Sequence, residues 1–274
     1  AKLALLMRLG EVIAPQWPHH HSLDAASPEE CLFALQRSMP LDTHYRAQPR
    51  LPAVYAKEED VPTAAYQRYR SFLQQVQVRR GSESKRFVLK GQLLHLQYLA
   101  QLRQAFPEAK VVWSHRPVEE VVGSLCSLRR SQLEVFLADS PNKEEVGKGV
   151  LKYLFDALQR AREALKDTQC ESLVHVRYES LVENPVEVVE DIYASFGWQV
   201  SAAHREAMKM YIEQSRTRRR RNQTGRSRYH DPSLASYGLS EEMVRRHFLS
   251  AGFRDIFDKT GSVVRHWELR DRLH

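Results

Sequence analysis

The chain has 274 residues, 42% of them hydrophobic and 27% charged, which excludes a disordered, collagenous or low-complexity polymer and allows one large domain or two small ones. Lys and Arg outnumber Asp and Glu by 41 to 34, a net charge of +7, so the composition suits an anionic partner such as nucleic acid, a membrane surface or an anionic cofactor. No run approaches about eighteen apolar residues, so no membrane span is encoded, and Cys31, Cys126 and Cys170 lack the spacing of a zinc site or disulfide framework.

Residues 1–50 are irregular, with short apolar runs punctuated by Pro15, Pro18, Pro28, Pro40 and Pro49, and predict loops and short helices. The segment Lys2 to Leu9 is too short for a secretory core. Helical spacing of Ala65, Tyr69, Phe72, Leu73 and Val76, with Pro62 suited to a first turn, predicts a helix over 63–78. Four runs then read strand, helix, strand, helix: Phe87 to Lys90, Leu93 to Phe106, Val111 to Ser114 and Val118 to Leu128. The stretch from Lys90 to Lys110 is long enough for a helical crossover, so the two strands are expected to lie parallel in a βαβ unit. A stripe from Val146 to Leu165 predicts a long amphipathic helix, and Leu173 to Val176 a third strand. Helices are expected from Pro185 to Phe196, after Ser201, and from near Ser240, where Ser240 with Met243 gives a cap, with a basic, turn-rich segment over Arg216 to Asp231.

Ligands of open α/β sheets bind at the C-terminal ends of the strands, and Lys90, Arg116 and Tyr178 all fall there. Arg116 precedes Pro117 at a helix start, with Ser124 two turns into the helix. A guanidinium fork, a hydroxyl and a helix N-terminus together suit a phosphate. The run Arg216 to Arg221, with Arg226 and Arg228, is the densest charge; it suits an anion or a solvated loop equally, and without interleaved aromatic residues RNA is the weaker reading. A histidine of the triplet His19 to His21, or Glu29 or Glu30, could act as a general base, although taken singly each also reads as a structural residue. No GxSxG, HExxH, Walker or GxGxxG motif supports a hydrolase or dehydrogenase.

The ordered series resembles the sulfotransferases that use 3′-phosphoadenosine 5′-phosphosulfate, in the branch of the bacterial and protein-tyrosine enzymes. Phe87-Val88-Leu89-Lys90 is similar to the family's WVLK strand, and the stretch from Phe106 to Arg116 to its FPDAR…THR segment, with Ser124 eight residues after Arg116 as in the 3′-phosphate pair. The stretch from Val176 to Pro185 resembles YEDLVxxP, and Gly225 to Tyr229 with Tyr237 to Ser240 resembles the closing GxHRY…FGLS segment. His21 with Pro28-Glu29-Glu30-Cys31 is similar to H…PEEC on the acceptor side. The departures are Arg116-Pro117 for Arg-Asp-Pro, Lys90-Gly91-Gln92 for Lys-Ser-Pro, and His95 one residue late.

The resemblance implies a single three-layer α/β domain, a central parallel sheet flanked by helices in the P-loop-like sulfotransferase fold. It divides into acceptor-side loops over 1–62, a sheet and helix core over 63–200, and C-terminal helices with a basic nucleotide-covering loop over 201–274. No counterpart of the family's glycine- and serine-rich phosphosulfate loop precedes His21, so the first strand is expected to be missing and the chain to be a piece of a longer enzyme, the alternative being a natural truncation that keeps half the nucleotide site. By the same resemblance Lys90 neutralises the leaving phosphate, Arg116 and Ser124 hold the 3′-phosphate, and Tyr178 with Arg226 or Arg228 completes the nucleotide contacts. His21 or Glu30 deprotonates a hydroxyl or amine acceptor, whether a small molecule, carbohydrate or peptide, and no metal is required. Cytoplasm and Golgi lumen both fit. The rival reading is a non-catalytic α/β binding protein that uses its basic loop on acidic partners.

Overall fold

The computed structural model describes residues 30–35, 38, 60–81, 86–136, 141–166, 172–222, 231–250 and 263–265. In chain order these form α1 (Leu32–Leu35), α2 (Asp60–Arg79), α3 (Gln92–Gln97), α4 (Leu99–Ala105), β1 (Val111–His115), α5 (Val118–Phe136), α6 (Lys143–Leu165) and β2 (Leu173–Arg177). They continue with α7 (Tyr178–Glu183), α8 (Pro185–Ser195), α9 (Ala202–Asn222), a 3-10 turn (Leu234–Tyr237), α10 (Glu241–Leu249) and β3 (Val263–Arg265). The result is a helix-rich α/β fold around a small sheet ordered β1–β2–β3. β1 and β2 are parallel, in register from Val111 opposite Leu173 to His115 opposite Arg177, and β3 is antiparallel to β2. A parallel pair needs a long crossover, and α5 with α6 supplies it.

Leu173 through Val176 of β2 are all buried, the signature of a strand covered on both faces, whereas β1 alternates, burying Trp113 and His115 and exposing Val112 and Ser114. The first core forms where Val118, Val122 and Cys126 of α5 meet Val150, Leu154 and Leu158 of α6, with Trp113 and Leu173 beneath. α6 forms because its apolar residues recur at three and four, and because Asn142 caps it by accepting the Glu145 N–H at 3.1 Å. A second core lies between α2 and its neighbours, where Tyr66, Tyr69 and Leu73 meet Cys31, Leu35, Leu94 and Tyr98. Each fully buried large apolar side chain stabilises the fold by about 1.5–3 kcal/mol.

Three expectations are corrected. Phe87–Lys90 is not a strand: it lies outside the sheet with Val88 94% exposed, and its carbonyl at Lys90 accepts from the Cys31 N–H at 2.7 Å. β-branched and aromatic composition makes a strand only where a ladder partner exists, and the described pairings of β1 and β2 do not include this segment. The βαβ unit is therefore β1–α5–α6–β2. The single helix expected over 93–106 is broken at Tyr98, because Tyr98 packs into the second core while Leu99 packs into the first. The segment after Arg216 remains helical to Asn222, since arginine is a good helix former and no Gly or Pro interrupts it there. The expected cap at Ser240 is present, its Oγ accepting from the Met243 N–H at 3.1 Å.

Two glycines allow elements to touch. A Cβ on Gly123 would stand 2.2 Å from the Pro232 carbonyl oxygen, and one on Gly147 would stand 2.4 Å from that of Tyr237. Mid-helix Gly→Ala ordinarily stabilises by about 0.5–1 kcal/mol. Here the sign inverts: Gly123→Ala and Gly147→Ala are each expected to destabilise by about 1–3 kcal/mol in urea denaturation, because backbone must shift.

The second core also holds His95, whose Nδ1 lies 2.9 Å from the Tyr66 hydroxyl and whose buried Nε2 has no hydrogen-bond partner among the described residues. Burial pushes its pKa down to about 4. Between that value and the ordinary 6.5 the unfolded chain binds more protons, so stability falls as pH drops through this window. The expected loss between pH 7 and pH 5 is about 2 kcal/mol. Chemical denaturation of wild type and His95→Gln at both pH values checks it: the variant should lose most of this pH dependence.

Candidate functional site

The register of the parallel pair decides what stands at its C-terminal edge. With His115 opposite Arg177, the next residues outward are Arg116 on one side and Tyr178 on the other. The Arg116 guanidinium carbon lies 5.1 Å from the Tyr178 ring centroid, and its Nε donates to Glu120 Oε2 at 2.7 Å, one turn into α5. Both tethers are weak: an exposed cation–π contact contributes about 0.5–1 kcal/mol and an i,i+4 ion pair about 0.3–0.5 kcal/mol. The Arg116 side chain is 39% exposed, and neither Nη nitrogen has a hydrogen-bond partner among the described residues. Directly below, the rings of His115 and His175 meet, Nε2 to Nδ1 at 2.6 Å, against the face of Trp113.

A second cluster joins α1 to the start of α3. Glu30, whose side chain is 7% exposed, takes two donors on one oxygen: Lys90 Nζ stands 3.0 Å from Oε1 and Gln92 Nε2 donates to it at 2.7 Å. A buried carboxylate needs such partners, and the lysine that serves it is itself 65% exposed, so its ammonium faces solvent as well. Cys31 behind it is buried, which pushes its thiol up and makes it a packing residue rather than a nucleophile. At the turn, a Cβ on Gly91 would overlap the His95 ring, so glycine lets the chain pass from Lys90 into α3 over that imidazole.

Ser124 lies on α5, half-buried, and its hydroxyl makes no hydrogen bond to the described residues. Beside it, the chain re-entering at Asp231 docks on the same helix. The Asp231 N–H donates to Ser127 Oγ at 3.0 Å, its carbonyl accepts from the Tyr237 hydroxyl at 3.1 Å, and Pro232 lies over Gly123. Burial opposes ionisation of the Asp231 carboxyl, but hydrogen bonds from Ser236 and the Ser233 N–H, with Lys143 and Arg130 nearby, outweigh it and hold the group below the usual range.

Of the residues singled out from sequence, the fold brings Arg116 to Tyr178 and Lys90 to Glu30; no hydrogen bond or ion pair joins the two pairs. Ser124 follows Arg116 on the helix that starts beside it. His21, Arg226 and Arg228 lie outside the described residues. Gln92, Glu120, His115 and His175 were missed. Only Glu120 carried a signal, as the i+4 carboxylate to Arg116 at a helix start. Among the described residues, no group of three or more His, Cys, Asp and Glu is placed to hold a metal ion, and no helix is long and apolar enough to cross a membrane.

The chain is similar in structure to the sulfotransferase STF1 of Mycobacterium tuberculosis H37Rv, with a TM-score of 0.70 and 28% identity over 91% of this chain and 62% of that one. It also shares its fold with the sulfotransferase STF9 of Mycobacterium avium, at a TM-score of 0.59 and 23% identity over 77% of this chain and 52% of that one. It thus spans less than two thirds of the length of either. No curated protein matches it. A sulfotransferase family model matches residues 28–202, more than half of the sequence and the span that carries both residue pairs, and the chain belongs to the sulfotransferase family.

Proposed function

We propose that the protein transfers a sulfuryl group from 3′-phosphoadenosine 5′-phosphosulfate to a hydroxyl- or amine-bearing acceptor. The observation that carries this reading is Arg116: a half-exposed guanidinium held by two weak tethers over an aromatic ring, with neither Nη nitrogen used by the described residues, at the C-terminal edge of a parallel strand pair. Such a fork suits the oxygens of a phosphate dianion, and the Ser124 hydroxyl eight residues on suits a further oxygen. Tyr178 offers the flat face beside them. Arg226 and Arg228 precede by five and three residues Asp231, which is anchored on α5 one turn from Ser124.

In the reaction the acceptor oxygen or nitrogen forms a bond to sulfur as the bond from sulfur to the phosphate oxygen breaks, and the acceptor's proton passes to a base. Lys90 supplies positive charge for the oxygens that gain electrons on the leaving side. Glu30 is the base the geometry favours, because it already contacts Lys90: an anion drawing Nζ away would release one carboxylate oxygen from its ion pair. His21 is the alternative base. The acceptor's identity is left to the residues outside these two pairs.

Two measurements on the full chain test the reading. Titrated with 3′,5′-adenosine bisphosphate, Arg116→Ala is expected to bind about 10–100-fold more weakly than wild type, the loss of a charged hydrogen-bonded contact of about 1.5–3 kcal/mol. Equal affinity rejects the phosphate assignment. Glu30→Gln should keep bisphosphate affinity within about twofold while lowering kcat by about 10²–10⁴; an unchanged kcat moves the base to another residue.

A further inference from the structure

We propose that the hydrogen-bonded pair His115–His175 is a positioning element that fixes where Arg116 stands relative to Tyr178, and so sets affinity for a ribose 3′-phosphate. The inference rests on the reading of Arg116 as the phosphate ligand given above.

His115 and His175 are among the few buried polar side chains of the described residues, 8% and 3% exposed. They lie on adjacent parallel strands on one face of the sheet: His175 is opposite Trp113, and His115 is two residues further along β1, opposite Arg177. Nε2 of His115 and Nδ1 of His175 are 2.6 Å apart, the rings are 4.8 Å apart and tilted by 35°, and Trp113 stacks on His115 at 5.0 Å. A bond between two imidazole nitrogens needs an N–H on one and a lone pair on the other, so at least one ring is neutral and the two cannot both be cations while bonded.

This bond runs across the strands near their ends, diagonal to the backbone ladder, and resists sliding of β1 along β2. Parallel ladders are slightly weaker per residue than antiparallel ones, so a side-chain cross-link at the edge bears on strand register. The residue after His115 is Arg116, and Tyr178 is three residues after His175, starting α7. A shift at either imidazole reaches the guanidinium or the ring through one to three backbone units. The tethers on Arg116 itself are too weak to restore its place, so the histidine pair sets it.

The pair is detected directly by scalar coupling across the hydrogen bond between Nε2 of His115 and Nδ1 of His175 in the full chain labelled with ¹⁵N-histidine. Observed coupling supports the inference; its absence in the folded protein overturns it without any variant. For function, wild type, His175→Phe, His175→Asn and Arg116→Ala are titrated with 3′,5′-adenosine bisphosphate and with adenosine 5′-phosphate, which lacks the 3′ group. The expected result is that His175→Phe loses about tenfold in bisphosphate affinity and less than about twofold for the monophosphate, while His175→Asn, which keeps a polar atom near the Nδ1 position, recovers part of the loss. Equal losses for both ligands, or no loss for the bisphosphate where Arg116→Ala shows one, overturn the positioning role. Wild-type bisphosphate affinity in Arg116→Ala overturns instead the phosphate reading on which it rests.

Discussion

Five residue pairs across two parallel strands hold the site in place. Because β1 and β2 run parallel and in register from Val111–Leu173 to His115–Arg177, their C-terminal ends are flush, and the residues that leave them emerge on one edge. Had the strands paired one residue out of step, every side chain of one strand would face the opposite side, and Trp113, His115 and His175 could not share a face. That register is determined chiefly by burial. β2 is buried on both faces and β1 on one, so a slip would bring exposed Ser114 into the core and expel Trp113.

The second core performs the corresponding task for Lys90. That segment has no ladder of its own, and it is held instead from the side, by the Cys31 N–H on its carbonyl and by Glu30 on its ammonium. Glu30 can be buried only because Lys90 and Gln92 both serve its Oε1, and removing one partner of such a group costs more than the pair itself contributes. The aromatic cluster of α2 thus bears on chemistry at a distance: Tyr66 holds His95, and His95 lies against Gly91, the residue after Lys90.

What the sequence disclosed and what it hid follow from the range of the interactions concerned. The stripe of α6, the cap at Ser240 and the order of motifs around Arg116, Ser124 and Tyr178 are local patterns, and all were legible. Phe87–Lys90 has strand composition but no strand, since a ladder partner is a property of the whole chain. The break at Tyr98 was hidden because two adjacent apolar residues serve different cores, which periodicity cannot distinguish. The His115–His175 contact was equally invisible: sixty residues separate the two, and only the register makes them neighbours. The Asp231 anchor depends on Gly123 being small, because Pro232 lies directly over it, and a single helical glycine carries no signal of which distant segment docks there.

Helix α5 joins these parts. Its first turn bears Glu119 and Glu120, whose charges suit the positive end of the helix dipole, yet both are also paired outward, Glu119 to Arg245 of α10 and Glu120 to Arg116. Burial opposes ionisation of Glu119, but the Arg245 hydrogen bond and charge outweigh it and hold its carboxyl below the usual range, which ties α10 to the site edge. Glu120 is different. It is half-exposed and bound to Arg116 through Nε alone, so a dianion offered to the two Nη groups need not break that contact, and if it does, it displaces an interaction of only about 0.3–0.5 kcal/mol. A guanidinium tethered loosely by its neighbours, but positioned firmly by the strand beneath it, retains its full hydrogen-bonding fork for a ligand while losing little orientational freedom on binding.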